Sequence, residues 1–217
     1  IRDNMKVIDV ETLDDVDVND NRINVFISSS FDMNFQLGFL SERKALKDKL
    51  NNYTENFKDI SIDYNNPKVS GSQNVSLQKV KKADIVILLI GTRYGTPREN
   101  NLSLTHLEYL EAKKYNKPML AYEFPLNEMH EDYHKVQSFL NEIYKDDILV
   151  TSKIINVINA DCLDVFNYKQ YGKTQIKENR ISDYSSRIAN KIYEDLLINR
   201  DNIVFNLPFG IQEISNL

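Results

Sequence analysis

The sequence is poor in the residues that mark several large classes of protein. Among its 217 residues there is one cysteine, Cys162, and no tryptophan. A single cysteine excludes an internal disulfide framework and is typical of a protein kept in the reducing cytoplasm. We find no low-complexity tract and no internal repeat, which excludes a solenoid or a propeller.

Long hydrophobic runs and an excess of positive charge are also missing. No apolar run approaches the roughly 20 residues that a membrane helix needs, and no signal-peptide pattern opens the chain. The net charge of −5 argues against electrostatic binding to nucleic acid or to anionic membranes. We therefore expect a cytoplasmic globular protein with neither nucleic acid nor membrane as a partner.

Two short apolar runs end abruptly in small polar residues. The first leads from Val25 into three serines, and the second leads from Ile85 to Gly91. Such runs are typical of buried parallel strands, and ligands of open α/β sheets bind beyond the carboxyl ends of those strands. These ends therefore supply candidate ligand-binding residues: Ser28, Ser29, Ser30, Asp32, Gly91, Arg93 and Tyr94.

Strands and helices alternate along the chain. The pattern predicts strands at Ile23–Ser28, Ile60–Tyr64, Asp84–Ile90 and Met119–Phe124, with Ile154–Ile158 as a fifth, edge strand. Helices between them include Leu104–Tyr115, which Ser103 caps. Short right-handed crossovers then predict an α/β three-layer sandwich, a mostly parallel flavodoxin-like sheet with strand order 2-1-3-4(-5).

The remaining segments define the expected domain organisation. Residues 1–21 are acidic and read as an arm, residues 22–200 as the domain, and residues 201–217 as a tail or linker. Apolar residues from Ile181 to Leu196 recur about every four positions, which predicts a long final helix that packs on the sheet or forms an interface. Glu42 and Arg43 are expected to form an exposed or partly buried ion pair on the first helix.

Three blocks in this order resemble a domain family of unknown function with a TIR-like fold. The blocks begin at Val25-Phe-Ile-Ser-Ser-Ser-Phe-Asp-Met33, at Ala83-Asp-Ile-Val-Ile-Leu-Leu-Ile-Gly-Thr-Arg-Tyr-Gly95 and at Leu102-Ser-Leu-Thr-His-Leu-Glu-Tyr-Leu-Glu-Ala112. The sequence departs from the family pattern in Asn34–Leu40, where extra residues separate Met33 from Glu42. Members of the family often precede an NTPase domain, so the resemblance implies self-association or a fused or partner NTPase.

The resemblance also implies kinship with TIR domains and nucleoside deoxyribosyltransferases, which act on N-glycosidic bonds through a helix glutamate. The matching residue here is Glu108, as the catalytic residue, with NAD as the implied substrate and no bound cofactor. A fixed carboxylate would stabilise the cation that develops on the ribose. The competing interpretation is an ordinary glutamate on the helix surface. We expect Ser29, Arg93 and Glu108 to converge on one crevice, with Ser103 beside them.

Structural alternatives stay open for the other candidates. Arg93 can clamp a phosphate or bridge to Asp32, and Tyr94 can stack on a base. The serines can bind phosphate or cap the following helix. His130 and His134 literally match H-E-x-x-H, but they lie at a loop-to-helix junction without a third ligand, so we expect no metal site.

These observations lead to three hypotheses about function. The leading one is a TIR-like signalling or effector domain of a prokaryotic immune or stress-response protein, which binds a nucleotide and cleaves NAD at the nicotinamide–ribose bond. The second is a non-enzymatic interaction or oligomerisation module. The third is glycosyl transfer of the deoxyribosyltransferase type. An open pocket joining Glu108, Ser29 and Arg93 favours an enzyme, and a filled crevice favours a scaffold.

Overall fold

The computed structural model describes residues 20–30, 38–62, 73–124, 126–146, 149–151, 165 and 178–204. Residues 1–19 of the predicted arm, Asp32, Cys162 and the strand expected at 154–158 lie outside these residues. Within them, no helix is long and apolar enough to cross a membrane.

A five-stranded parallel sheet forms the centre of the fold, with strand order β2-β1-β3-β4-β5, which confirms the predicted order. The strands are β1 Ile23–Ser29, β2 Phe57–Asp59, β3 Ile85–Ile90, β4 Met119–Glu123 and β5 Leu149–Thr151. The edge strand thus lies ahead of the segment expected for it. The strand order reverses between β1 and β3, because the strand after β1 is added on one side of this pair and the strand after β3 on the other side.

Helices cover both faces of the sheet, as the sequence predicts for a three-layer sandwich. They are α1 Leu40–Asn52, α2 Gln73–Lys82, α3 Leu104–Lys114, α4 Tyr133–Lys145, α5 Glu178–Ile198 and α6 Arg200–Val204. Alternate side chains of β1 enter different cores, since successive residues of a strand point to opposite faces. Val25 and Ile27 pack with α1 and α5, and Phe26 packs with α2, α3 and α4.

Strand β2 ends at Asp59, before the segment predicted as a strand, Ile60–Tyr64, begins. Its last ladder bond joins Ile60 N–H to Val25 C=O at 2.9 Å. The next donor on β1, Ile27 N–H, is bound instead by the Ser61 side-chain hydroxyl at 2.6 Å. A side chain therefore replaces the backbone carbonyl that a longer strand would supply, and the alternating pattern at 60–62 is not a strand.

The long final helix packs against the core, as its spacing predicts. Tyr184, Ile188, Ile192 and Leu196 of α5 are buried in the same core as α1 and β1. Tyr122 of β4 donates a hydrogen bond to Asp195 Oδ2 at 2.9 Å, which fixes the helix to the centre of the sheet. Ile203 of α6 is buried in the same core, so folded structure continues past the expected boundary at residue 200.

Candidate functional site

The carboxyl ends of β1 and β3 lie side by side at the point where the strand order reverses. In the ladder Ser28 is opposite Leu88, and Ser29 is opposite Leu89. The alternation along β1 places Ser28 on the face of Phe26, covered by α2 and α3. Ser29 points to the other face, toward α1. The three consecutive serines therefore do not form one continuous patch.

Glu108 is buried under the end of β1, with an exposed fraction of 1%. The Ser28 hydroxyl donates to its Oε2 atom, and the Ser76 hydroxyl, from the first turns of α2, donates to Oε1. Burial raises the pKa of the Glu108 carboxyl, because desolvation opposes its charge more strongly than the two serines and the nearby Arg43 favour it. The carboxyl is thus a desolvated acid held between two hydroxyl groups rather than a surface residue.

Arg43 supports the end of β1 from the opposite face. Its Nη1 atom donates to the Ile27 carbonyl at 2.5 Å and to Ser29 Oγ at 3.2 Å. The sequence predicted an exposed or partly buried ion pair of Glu42 and Arg43, but both residues are buried. Arg43 is buried because its guanidinium donates to a carbonyl and a hydroxyl at the end of β1, which α1 covers.

The predicted convergence of Ser29, Arg93 and Glu108 on one crevice is not what the described residues show. Ser29 bonds with Arg43 on the α1 face, and Glu108 lies on the α3 face. Arg93 lines a separate cavity of about 10 Å³ together with Ser30 and Tyr94. A volume of this size holds about one water molecule. The Ser30 hydroxyl is buried beside it without a hydrogen-bond partner among the described residues.

Gly91 approaches a side chain of the protein itself. A Cβ atom at this position would lie 2.7 Å from Cζ of Phe39, the residue that precedes α1. The Phe39 ring also packs on Phe124, with ring centroids 4.6 Å apart. Gly91 is therefore needed for packing at the end of β3, where an aromatic ring covers the backbone that a ligand was expected to approach.

Tyr94 belongs to a polar chain that the sequence did not predict, in which Tyr94 and His106 are buried. Its hydroxyl lies 2.7 Å from His106 Nδ1, and His106 Nε2 lies 3.0 Å from Glu142 Oε2 on α4. The His106 ring stacks on Phe139 at 4.2 Å. Desolvation lowers the pKa of His106 despite the neighbouring Glu142 carboxylate. Tyr94 is thus fixed by protein groups, not presented as a stacking platform.

Ser103 caps α3, as expected, with its hydroxyl accepting the His106 backbone N–H at 3.3 Å. Asp32 lies outside the described residues, so its bridge to Arg93 stays a prediction. His130 precedes α4 and accepts the Asp132 backbone N–H, while His134 lies within that helix. Among the described residues no group of three histidine, cysteine or acidic side chains is placed to hold a metal.

Sequence reasoning missed Ser76, the role of Arg43 at the end of β1 and the His106–Glu142 pair. A pattern could have indicated only part of this. Ser76 is a polar residue within the apolar pattern of α2, between Val75 and Val80. Arg43 lies on the same face of α1 as Leu46 and Leu50, and that face is buried. Which strand end each residue reaches depends on tertiary packing.

Comparison with known proteins finds a matching family model. A family model described as "Domain of unknown function (DUF4062)" matches residues 24–163. No curated protein matches the chain. Among solved structures, the X-ray structure of an oxidoreductase from Corynebacterium diphtheriae is 9% identical and covers 80% of this chain and 97% of its own, with a TM-score of 0.32. A TM-score at that level carries no argument about fold or activity.

Proposed function

The chain belongs to the DUF4062 family, and from its site we propose a TIR-like signalling domain that binds a nucleotide and cleaves the N-glycosidic bond of NAD. One observation carries the proposal. Glu108 is a buried carboxyl without a salt bridge among the described residues, held by Ser28 and Ser76 at the point where the strand order reverses. Perturbed, desolvated acids at such a position are typical of functional sites.

The proposed reaction assigns one role to this carboxyl. The bond between ribose C1′ and the nicotinamide nitrogen breaks, and its electron pair neutralises the pyridinium ring. Water then adds to C1′ and loses a proton. The ionised Glu108 carboxylate opposes the positive charge that develops on the ribose during the first step. The low dielectric around it strengthens that interaction.

The raised pKa sets the expected pH dependence of this activity. Below that pKa the Glu108 carboxyl is neutral and offers no charge to the ribosyl cation. The rate should therefore rise with pH as the carboxyl ionises, with a midpoint above 4.5, the usual value for the group. If Glu108 were instead an ordinary surface glutamate, the midpoint of the rate profile would lie at or below 4.5.

The test is release of nicotinamide from NAD by the purified domain, dispersed and at high concentration with a crowding agent. Glu108→Gln is expected to lower the rate by about 100- to 1000-fold, as is typical when one such electrostatic contact is removed. Glu111→Gln is the matched control, because Glu111 lies on the same helix and pairs with Lys114. Wild-type activity in Glu108→Gln, under conditions where the wild type turns over, would show that the catalytic assignment is wrong.

A second function, a non-enzymatic interaction module, is favoured by a different observation. Both Glu108 oxygens accept serine hydroxyls, Phe39 covers Gly91, and Ser29 bonds with Arg43, so the described part of the crevice is filled. Such a module would pass a signal by self-association or to an NTPase partner. It becomes the function if the domain neither binds nor cleaves NAD, dispersed or clustered.

A further inference from the structure

A cluster of lysines lies where α2 and α3 end, beside the starts of the strands and away from the site at their carboxyl ends. Its members are Lys81, Lys82, Lys113, Lys114 and Lys117. The ring of Tyr115 connects the two helix ends, since Lys81 Nζ lies 5.2 Å and Lys114 Nζ 5.1 Å from its centroid. Because both ammonium groups lie against one ring, they are at most about 10 Å apart, a distance over which charges still interact at about 0.1 M salt.

The described part of the chain neutralises only some of this positive charge. Two of the five lysines pair with carboxylates, as Lys113–Asp146 and Lys114–Glu111. Lys81, Lys82 and Lys117 form no ion pair with a described residue. A lysine in the last turn of a helix offsets the partial negative charge of that helix end. This explanation does not extend to Lys117, which lies beyond the end of α3, so the cluster has positive charge left for an acidic partner.

The most acidic stretch of the sequence precedes the same end of the fold. Residues 9–17 contain no lysine, arginine or histidine and five carboxylates, those of Asp9, Glu11, Asp14, Asp15 and Asp17. We call this stretch the acidic run. Its formal charge of −5 equals the net charge of the whole chain, so all the other residues together are formally neutral. The charges of the run and of the lysine cluster are therefore complementary.

The acidic run joins the domain close to the lysine cluster. At the start of β1, Asn24 N–H donates to Asp84 Oδ2 at 2.8 Å, and Asp84 N–H donates to the Asn24 carbonyl at 2.9 Å. Asp84 follows the last residue of α2, Lys82, by two positions. Asp9 precedes Asp20, where the described residues begin, by 11 positions. Because an extended chain spans about 3.4 Å per residue, the run is long enough to reach across this end of the domain.

We propose that the acidic run docks on the lysine cluster of its own chain. Its carboxylates accept hydrogen bonds from the ammonium groups of Lys81, Lys82 and Lys117. Each such exposed ion pair is weak. The link to β1 makes the contact intramolecular, with an effective concentration in the millimolar range, so several weak pairs together hold the run in place. The docked run covers the cluster and excludes other acidic segments from it. This contact does not depend on the function proposed for Glu108.

Carbodiimide cross-linking tests the contact directly, because it joins a lysine amine to a carboxylate only where the two touch. We expect mass spectrometry of the monomeric 217-residue chain to find links from the acidic run to Lys81, Lys82 or Lys117. The links should decrease in about 1 M salt, where the Debye length falls to about 3 Å. Lys44 of α1, which is exposed on the other face of the sheet, measures the background. Links to Lys44 as frequent as those to the cluster, or no links from the run at all, would overturn the proposal.

A protease that cuts after glutamate provides a second measurement, since Glu11 lies within the run. Lys82→Asp combined with Lys117→Asp should speed cleavage after Glu11 by about 5-fold, the equivalent of losing two ion pairs of roughly 0.5 kcal/mol each. The charge-matched control combines Lys44→Asp with Arg98→Asp, two exposed positions away from the cluster, and should leave the rate unchanged. Adding Asp14→Lys and Asp15→Lys to the cluster variant should restore slow cleavage. Equal rates in the wild type, the cluster variant and the control would overturn the proposal.

Isotope labelling distinguishes docking within one chain from docking on a second copy. Unlabelled and ¹⁵N-labelled protein are mixed in equal amounts before cross-linking. Docking within one chain predicts that both peptides of each linked pair carry the same label. Pairs that join an unlabelled run to a labelled lysine peptide, at the frequency of random mixing, would show that the run binds another copy and would overturn the proposal.

Discussion

Replacing Glu108 with glutamine should change how the stability of the domain depends on pH. In the folded protein burial raises the pKa of this carboxyl above its usual value of 4.5. Between those two pKa values the folded state holds a proton that the unfolded state has lost. The free energy of unfolding of the wild type therefore falls as the pH rises through that window, and levels off above the folded pKa.

The size of the effect follows from proton linkage. A difference of one bound proton changes the free energy of unfolding by at most about 1.4 kcal/mol per pH unit. Glutamine has nearly the same shape, and its amide can still bond with the Ser28 and Ser76 hydroxyls, since a hydroxyl both donates and accepts. The variant should therefore lack this slope, and its stability relative to the wild type should grow with pH across the window.

Urea unfolding followed by circular dichroism, from about pH 5 to about pH 8, measures this difference. Glu111→Gln is the control, since Glu111 is partly exposed and pairs with Lys114. Its stability relative to the wild type should show no such rise. If the stability of Glu108→Gln relative to the wild type instead stays constant across this range, the native carboxyl is already ionised at about pH 5, and desolvation does not dominate its pKa.

Three other substitutions, with a fourth as a control, test the packing around the site and the core by the same unfolding assay. Gly91→Ala should cost about 1–3 kcal/mol, because its Cβ would meet the Phe39 ring at 2.7 Å; an unchanged midpoint would mean that the ring moves freely. Arg43→Ala should cost about 1–3 kcal/mol through the unbonded Ile27 carbonyl, and full stability would show that water replaces the guanidinium. Ile188→Ala should cost about 2–5 kcal/mol, whereas Leu197→Ala, on the exposed side of the same helix, should change stability by less than about 0.5 kcal/mol; equal losses would contradict the packing of α5.

Local patterns were sufficient for the order of elements. The all-apolar run Ile85–Ile90 has every residue buried in β3, as a strand covered on both faces requires. The spacing of the apolar residues from Ile181 to Leu196 predicted the buried face of α5 correctly. The strand predicted from Ile60 was wrong. An alternating pattern fits a strand, and it fits equally a loop in which a side chain such as Ser61 accepts the hydrogen bond of the neighbouring strand.

The candidate site was predicted in part, for a reason that lies in the pleat of β1. The sequence placed the serines at a strand end and the helix residue Glu108 in the same crevice, and Glu108 does contact Ser28. It treated Ser28 and Ser29 as neighbours with one role, although adjacent strand residues face opposite layers. Spacing along the chain does not reveal that Ser28 meets α3 while Ser29 meets Arg43 of α1.

The sequence by itself determined the α/β class and the sheet order, because apolar periodicity and short connections leave few arrangements of parallel strands. Only the tertiary structure decided what surrounds each polar group. Ser76 and Ser28 come from elements far apart in the chain, and their hydroxyls reach Glu108 only after α2, α3 and β1 have packed. Burial and partners are properties of that packing, and they turn a helix glutamate into a desolvated acid with a raised pKa.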